Sequence, residues 1–425
     1  MLEEREQAIL IGVNLGNNNF EKQFTELEAL AEACNIDVCG KITQNLSNVN
    51  NALYVGTGKL AEISQMVKGL NADLIIFNNE LTSTQLRNLE KHLDVPIMDR
   101  TSLILRIFSD RARTREAKLQ VEVAKLQYML PRLKGLHDSL GRQGGGGGAS
   151  PANKGSGEKK LELDRRKIEQ KLTEYKKELD NLVYERENQR KQRRKSGIKN
   201  VALAGYTNAG KSTLMNAFVE MTTDNVDKKV LQKDMLFATL ETSVRNITLD
   251  NKKSFLLSDT VGFVDELPHS LIKAFRSTLE EIVTADLILH VVDFSDPDYE
   301  RYIKVTEDTL KELKADKIPV IYVYNKSDKN LFNLPVIEDN RIYMSAETKE
   351  GMEELISMIS DIIFSDYVDV KLLIPYEKGN IVSYLMEKAT IKETKYLENG
   401  TYIDAEITNE DYQKYKEYET NEKIQ

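Results

Sequence analysis

Gly205-Tyr206-Thr207-Asn208-Ala209-Gly210-Lys211-Ser212 has the G-x-x-x-x-G-K-[ST] spacing of a phosphate-binding loop. A short apolar run, residues 200–204, precedes it, and a helical pattern over 212–218 follows. In such a strand–loop–helix unit the loop N–H groups and the helix N-terminus converge on an anion. The spacing assigns Lys211 to β- and γ-phosphate oxygens and the Ser212 hydroxyl to Mg²⁺. Thr213 completes the cradle at the head of the helix.

Working outward, residues 319–324 read as a buried strand that ends in Asn325-Lys326-Ser327-Asp328, about 115 residues after Lys211. A carboxylate beyond such a strand accepts from guanine N1–H and its exocyclic amine, and adenine does not offer that pair. At about 1.5–3 kcal/mol each, two such bonds separate guanine from adenine by roughly two to four orders of magnitude. A further short strand, residues 341–344, leads into Ser345-Ala346-Glu347, whose main-chain N–H groups back the base.

Between these anchors lie two switch segments. Residues 254–258 form a strand pattern that runs into Asp259-Thr260-Val261-Gly262-Phe263. Asp259 is assigned to Mg²⁺ through water, and the Gly262 N–H to the γ-phosphate. Upstream, Phe237-Ala238-Thr239-Leu240-Glu241 offers Thr239 as a second hydroxyl for Mg²⁺. That contact exists only with the γ-phosphate present, so its loss on hydrolysis releases the loop. Lys211, Thr239 and Gly262 carry the hydrolytic step in this reading. Phe263 occupies the place where Ras-type enzymes orient water with glutamine. A phenyl ring does neither, which predicts slow intrinsic turnover and an outside element or main-chain groups to align water. His269 is a further candidate for that task.

The chain has 425 residues, 40% hydrophobic and 30% charged, enough for two to four domains. No apolar run reaches the eighteen or so residues that span a bilayer. The acidic start Met1-Leu2-Glu3-Glu4-Arg5-Glu6 does not read as a signal peptide. Cys34 and Cys39 read as free thiols, and four scattered histidines argue against zinc. These features predict a cytoplasmic protein, with a peripheral membrane fraction the one membrane association left open. Net charge is -9, so binding of polyanions across the whole surface is disfavoured. The basic cluster Arg190, Lys191, Arg193, Arg194 and Lys195 is a local exception: a solvated helix end or a phosphate contact.

Four parts emerge. Residues 1–100 alternate apolar runs (8–13, 36–40, 52–55, 74–77, 95–98) with helical stretches (24–34, 58–70, 82–93), which predicts a mainly parallel α/β domain. Gly56-Thr57-Gly58-Lys59 reads there as a tight turn. In residues 101–197, Leu119, Val123, Leu126 and Leu130 form one helical stripe, and Ile168, Leu172, Tyr175, Leu179 and Leu182 another. That predicts an antiparallel helical hairpin, its first helix ending near Pro131 and its tip spanning the glycine-rich residues 141–157. Residues 198–365 form the nucleotide-binding domain with a mixed, mainly parallel sheet, residues 244–249 pairing antiparallel with the strand before Asp259. Residues 366–425 predict a small α+β module with strands at 368–374 and 402–407, a helix at 381–388, and a fraying end.

Together these parts resemble the HflX family of ribosome-associated P-loop GTPases. The most specific matches are Asp99-Arg100-Thr101, the stretch 111–122, Leu130-Pro131-Arg132-Leu133, Leu161-Glu162-Leu163-Asp164-Arg165-Arg166, Leu236 to Leu240, Gly262-Phe263 and Leu267-Pro268-His269. Phenylalanine in place of glutamine is also a family trait. The chain departs from the family at Lys154-Gly155-Ser156-Gly157-Glu158-Lys159, where Arg-Gly-Pro-Gly-Glu-Thr is usual. Glu241-Thr242 replaces a frequent Asp-Pro, and Ser345-Ala346-Glu347 a more usual Ser-Ala-Lys. None of these changes removes a phosphate or magnesium ligand. The resemblance implies GTP and GDP as ligands with Mg²⁺, and binding to the large ribosomal subunit. It also implies hydrolysis stimulated by the ribosome, and splitting or rescue of stalled ribosomes. The hairpin and the basic cluster meet rRNA in that reading, and the protein acts as a monomer. Two other readings follow from the residues: an RNA-remodelling ATPase with a second nucleotide site in the N-terminal domain, and a non-catalytic GTP-dependent scaffold.

Overall fold

The computed structural model describes residues 5–17, 19–142, 151–195, 198–222, 243–249, 253–260, 262–263, 281–330 and 333–420. Among these residues there are three sheets. The first has the order β2-β1-β3-β4 and is wholly parallel: β1 is Glu6–Asn14, β2 Ile36–Asn45, β3 Leu74–Phe77 and β4 Ile97–Asp99. Helices α1 (Phe20–Ala33), α2 (Thr57–Leu70) and α3 (Ser83–Leu93) connect the strands. Near-continuous apolar runs such as Ala8 to Ile11 are what a strand buried on both faces requires. Residues 52–55 do not form the expected strand. They make a turn closed by a bridge between Asn50 and Tyr54, with Tyr54 at φ 67°. Gly56 caps α2 from extended backbone, and Lys59 pairs with Glu62, so this glycine pair opens a helix. Both cysteines are free; burial pushes the Cys34 thiol up to about 12.

Helix α4 (Arg100–Arg111) buries Leu103, Ile104, Ile107 and Phe108 against one face of this sheet. Helix α5 (Arg115–Arg142) adds Ala117, Val121 and Ala124 to that cluster, then pairs with α6 (Pro151–Lys195) in the hairpin. Contrary to expectation, α5 runs through Pro131. Helical structure also reaches Arg142 on one side and resumes at Pro151 on the other, so the described parts of 141–157 are helical. The glycine stretch 144–148 lies outside the described residues. The stripe Ile168, Leu172, Tyr175, Leu179 and Leu182 is half-buried, as expected where a helix has one neighbour.

The second sheet has the order β10-β11-β9-β8-β5-β7-β6. Its strands are β5 (Lys199–Ala204), β6 (Ser243–Thr248), β7 (Ser254–Asp259), β8 (Leu287–Asp293), β9 (Val320–Asn325), β10 (Val336–Glu338) and β11 (Arg341–Tyr343). The five central strands are parallel, and β6 and β10 are antiparallel at the edges. The mixed sheet and the β6–β7 pairing are therefore as expected; β10 was not legible. Helices α7 (Lys211–Thr222), α8 (Tyr299–Glu312) and α9 (Met352–Ile363) flank it. The third sheet, β12-β14-β13, is antiparallel: Tyr367–Ile374, Gly400–Thr408 and Thr390–Leu397. Helix α10 (Gly379–Lys388) packs on it. Helix α11 (Asn409–Tyr415), capped by Thr408, follows β14, and a bridge joins Glu419 to Leu372; the end expected to fray, residues 421–425, lies outside the described residues.

Candidate functional site

β5 is central in its sheet, so the chain leaves it at the carboxyl edge where open parallel sheets bind ligands. Gly205 turns there at φ 148°; a Cβ would lie 2.2 Å from the Val291 carbonyl oxygen of the neighbouring strand. Gly210 sits at φ 94°, and a Cβ there would lie 2.1 Å from Asn325 Nδ2. Both positions thus need glycine on steric grounds. Lys211 then opens α7 directly after the loop, and a helix start leaves first-turn N–H groups available to an anion.

Lys211 is buried. Its ammonium donates to the Gly205 carbonyl at 3.0 Å and the Tyr206 carbonyl at 2.7 Å. An ammonium has three donors, so an anion has one to take. Burial pushes the Lys211 pKa down to about 8, against the pull of Asp259 in the other direction. Ser212 Oγ donates to Asp259 Oδ2 at 2.8 Å, with Asp259 fully buried at the end of β7. Thr260 Oγ1 donates to the Leu203 carbonyl at 2.7 Å and ties this corner to β5. These are two hard oxygens, on a buried carboxylate and a helix N-terminus; a Mg²⁺ held by one or two protein ligands and phosphate oxygens needs that set.

Gly262 presses on the loop: a Cβ would lie 2.9 Å from Thr207 Cα and 3.0 Å from Lys211 Nζ. The next residue inverts the expected emphasis. Phe263 is buried among Ala202, Ala204, Ile282, Ile288, Leu310 and Leu313, between the sheet and α8. Its main chain closes on the loop: Thr207 N–H donates to the Phe263 carbonyl at 2.8 Å, and Phe263 N–H to the Gly205 carbonyl at 3.1 Å.

At the far end of the groove, Asn325 Nδ2 donates to the Ala209 carbonyl at 2.9 Å while Asn325 Oδ1 accepts from Ala346 N–H at 2.9 Å. The Ala346 amide therefore positions Asn325. Lys326, at φ 60°, donates to the Asn208 carbonyl at 2.9 Å and to Asp293 Oδ2 at 2.7 Å. Ser327 is buried and donates to the Tyr324 carbonyl at 2.8 Å. Asp328 is exposed in a short 3-10 turn, Ser327–Lys329, as is Glu347 after the buried Ser345. The phosphate loop and the strand end that carries Asp328 are thus brought together.

Phe237, Ala238, Thr239, Leu240, Glu241, Val261 and His269 lie outside the described residues. So do the side chains of Arg190, Lys191, Arg193, Arg194 and Lys195, whose backbone ends α6. Three residues went unnoticed in the sequence. Asp293 is one; its place directly after a buried apolar run was the available signal. His290, on the same strand, is buried with Nδ1 lacking a partner among the described residues, and burial beside Lys211 pushes its pKa down to about 3. Glu26, on helix α1 of the N-terminal α/β unit, accepts from the Tyr206 hydroxyl, and no local signal marks it.

Four family models match consecutive stretches of the chain. They are described as GTP-binding GTPase N-terminal over residues 21–109, GTP-binding GTPase Middle Region over 111–193, 50S ribosome-binding GTPase over 200–326 and HflX C-terminal domain over 332–418. The GTPase HflX of Caldanaerobacter subterraneus subsp. tengcongensis is 44% identical over 406 residues, covering 95% of this chain and 92% of its own. That of Alkalihalophilus pseudofirmus is 41% identical over 397 residues (93% and 91%), and that of Escherichia coli 34% over 402 (93% and 92%). A crystal structure of a GTP-binding protein from Sulfolobus solfataricus in complex with GDP covers 85% of this chain and 99% of its own, at 22% identity and a TM-score of 0.44.

Proposed function

Since the chain belongs to the HflX family of GTPases, we propose that it is a guanine-nucleotide switch on the large ribosomal subunit, where it splits or rescues stalled ribosomes. One observation carries the nucleotide assignment. Asn325 bonds to Ala209 in the phosphate loop and to Ala346, so base end and phosphate end form one rigid groove. In this reading Gly205 to Thr213 cradle the phosphates and Lys211 neutralises the β- and γ-oxygens. Ser212, Asp259 and Thr239 hold Mg²⁺, which screens phosphate charge when bound. The Gly262 N–H meets the γ-phosphate, and Asp328 reads guanine with Asn325, Lys326 and Ser327 around the ring. Phe237 to Glu241 and Asp259 to Gly262 are the switches.

Phe263 is packed inward, which supports a hydrolytic water aligned by main-chain groups or by the partner. That favours turnover that is slow alone and fast on the ribosome. The description of the family matching residues 200–326, a 50S ribosome-binding GTPase, supports the same partner. We assign rRNA contact to the hairpin and to Arg190, Lys191, Arg193, Arg194 and Lys195, with the chain divided near residues 100, 197 and 365 and acting as a cytoplasmic monomer. Among the described residues no helix is long and apolar enough to cross a membrane.

The test is turnover of GTP and of ATP, with and without purified large subunits. GTP-selective turnover that rises with subunits is expected. Turnover indifferent to subunits, together with no co-sedimentation in either nucleotide state, defeats the partner assignment. ATP binding by residues 1–197 would instead favour a second nucleotide site.

A further inference from the structure

The sequence motif Asp99-Arg100-Thr101 has no part in the nucleotide groove, yet its first two side chains are buried and charged. They face opposite ways. Asp99 caps α4 through Ser102 N–H at 2.9 Å and accepts from Arg132 of the hairpin's α5 at 2.5 Å, with Tyr128 donating to the same carboxylate. The Arg132 guanidinium also lies 3.4 Å from the centre of the Tyr128 ring. Arg100 runs the other way. It donates to Glu26 Oε2 at 2.6 Å, and a guanidinium only 4% exposed needs such a carboxylate.

The second oxygen of Glu26 leaves the N-terminal unit altogether. Oε1 accepts from the Tyr206 hydroxyl at 2.7 Å. Tyr206 is the first variable residue of the phosphate loop. Because such a loop holds phosphate with backbone N–H groups, its side chain is available for other work. Its ring stacks on Tyr302 at 4.2 Å between centroids, and its carbonyl receives the Lys211 ammonium. Burial and the neighbouring Glu26 raise the Tyr206 pKa, so the hydroxyl stays a donor. Beside it lies a cavity of about 520 Å³, lined by Glu26, Tyr206, His290, Asp293, Arg301 and Tyr302.

We propose that Glu26 and Arg100 are positioning residues for the nucleotide site. They hold Tyr206, and through its carbonyl the Lys211 ammonium, while Asp99, the residue before Arg100, anchors Arg132 of the hairpin at the same β4–α4 junction. Loading of the hairpin by a partner thereby reaches the phosphate loop. This rests on the reading of residues 205–212 as the nucleotide cradle. Failure of the unaltered protein to bind a fluorescent GDP would strike that reading, whereas the variants below strike only the network.

The experiment measures dissociation of fluorescent GDP from full-length variants, with thermal unfolding in parallel. Tyr206→Phe deletes one hydroxyl and is expected to speed release roughly ten-fold, the order of one hydrogen bond to a charged group. Glu26→Gln should do the same, and the double variant should be no faster than either single one. Arg132→Met should speed release in the natural background and not in Tyr206→Phe. Lys22→Ala removes a separate contact to Asp298 between the same two units and should leave release unchanged. Release within two-fold of the natural chain for Tyr206→Phe, even with a lowered melting temperature, overturns the proposal. So do multiplying effects of the two single variants, or an equal effect from Lys22→Ala. An Arg132→Met variant without effect in either background overturns the hairpin's share of it.

Discussion

Thr207 donates its backbone N–H to the Phe263 carbonyl at 2.8 Å, so the residue after Gly262 meets the phosphate loop with its main chain while its ring faces the core. The side chain at 263 is thereby committed to packing. Phe263→Gln should not install a water-orienting glutamine. It should cost roughly 3–5 kcal/mol of stability, the range for losing a buried aromatic. Denaturant titration and single-turnover hydrolysis check this together; a stable variant with faster intrinsic hydrolysis would contradict it.

Gly262 tolerates no Cβ without displacing Thr207 or the Lys211 ammonium. Gly262→Ala should therefore lower GTP hydrolysis by roughly a hundred-fold or more, the size of a single displaced transition-state donor. GDP affinity should fall less, since the γ-phosphate is the group Gly262 addresses. Paired measurements of turnover and GDP binding test that ordering, and equal losses would refute it.

Asn325→Ala removes both bonds of the staple between Ala209 and Ala346. Stranding the buried partners should cost about 1–3 kcal/mol each, and nucleotide affinity should fall with stability. Asp328→Asn is different: the residue is exposed, so stability should hold while preference shifts from guanosine to xanthosine nucleotides. Competition binding distinguishes the two variants. Unchanged GTP affinity in Asp328→Asn would remove the base-reader assignment.

Lys211 titrates near pH 8 in the free protein because burial disfavours its charge. A phosphate beside it favours the charged form. Above about pH 8, nucleotide binding should therefore take up a proton, and affinity should weaken as pH rises. Below that pH the ammonium is already protonated and no uptake is expected. Without nucleotide, the folded-state value lies below the ordinary 10.5, so this lysine's penalty on folding is complete below about pH 8. It fades as pH rises toward 10.5. Calorimetry in buffers of different ionisation enthalpy, at pH 6.5 and pH 9, reads the proton directly.

The strand–loop–helix at 199–222, the strand ending at Asn325 and the hairpin stripes were legible in the sequence because each depends on residues within a few turns of one another. Glycine at 205 and 210, a lysine at the helix start and periods of two or 3.6 are local statements about backbone and solvent. The passage of α5 through Pro131 was not legible. Helix propensity disfavours it, and packing against α3, α4 and α6 overrides that preference. Nor did the chain announce that Asn325 meets Ala209 across 116 residues, or that Glu26 meets Tyr206 across 180. Those pairings follow from which strands become neighbours and which face of one unit docks on another. Burial of apolar area sets that arrangement, and it is a property of the whole assembled core rather than of any segment.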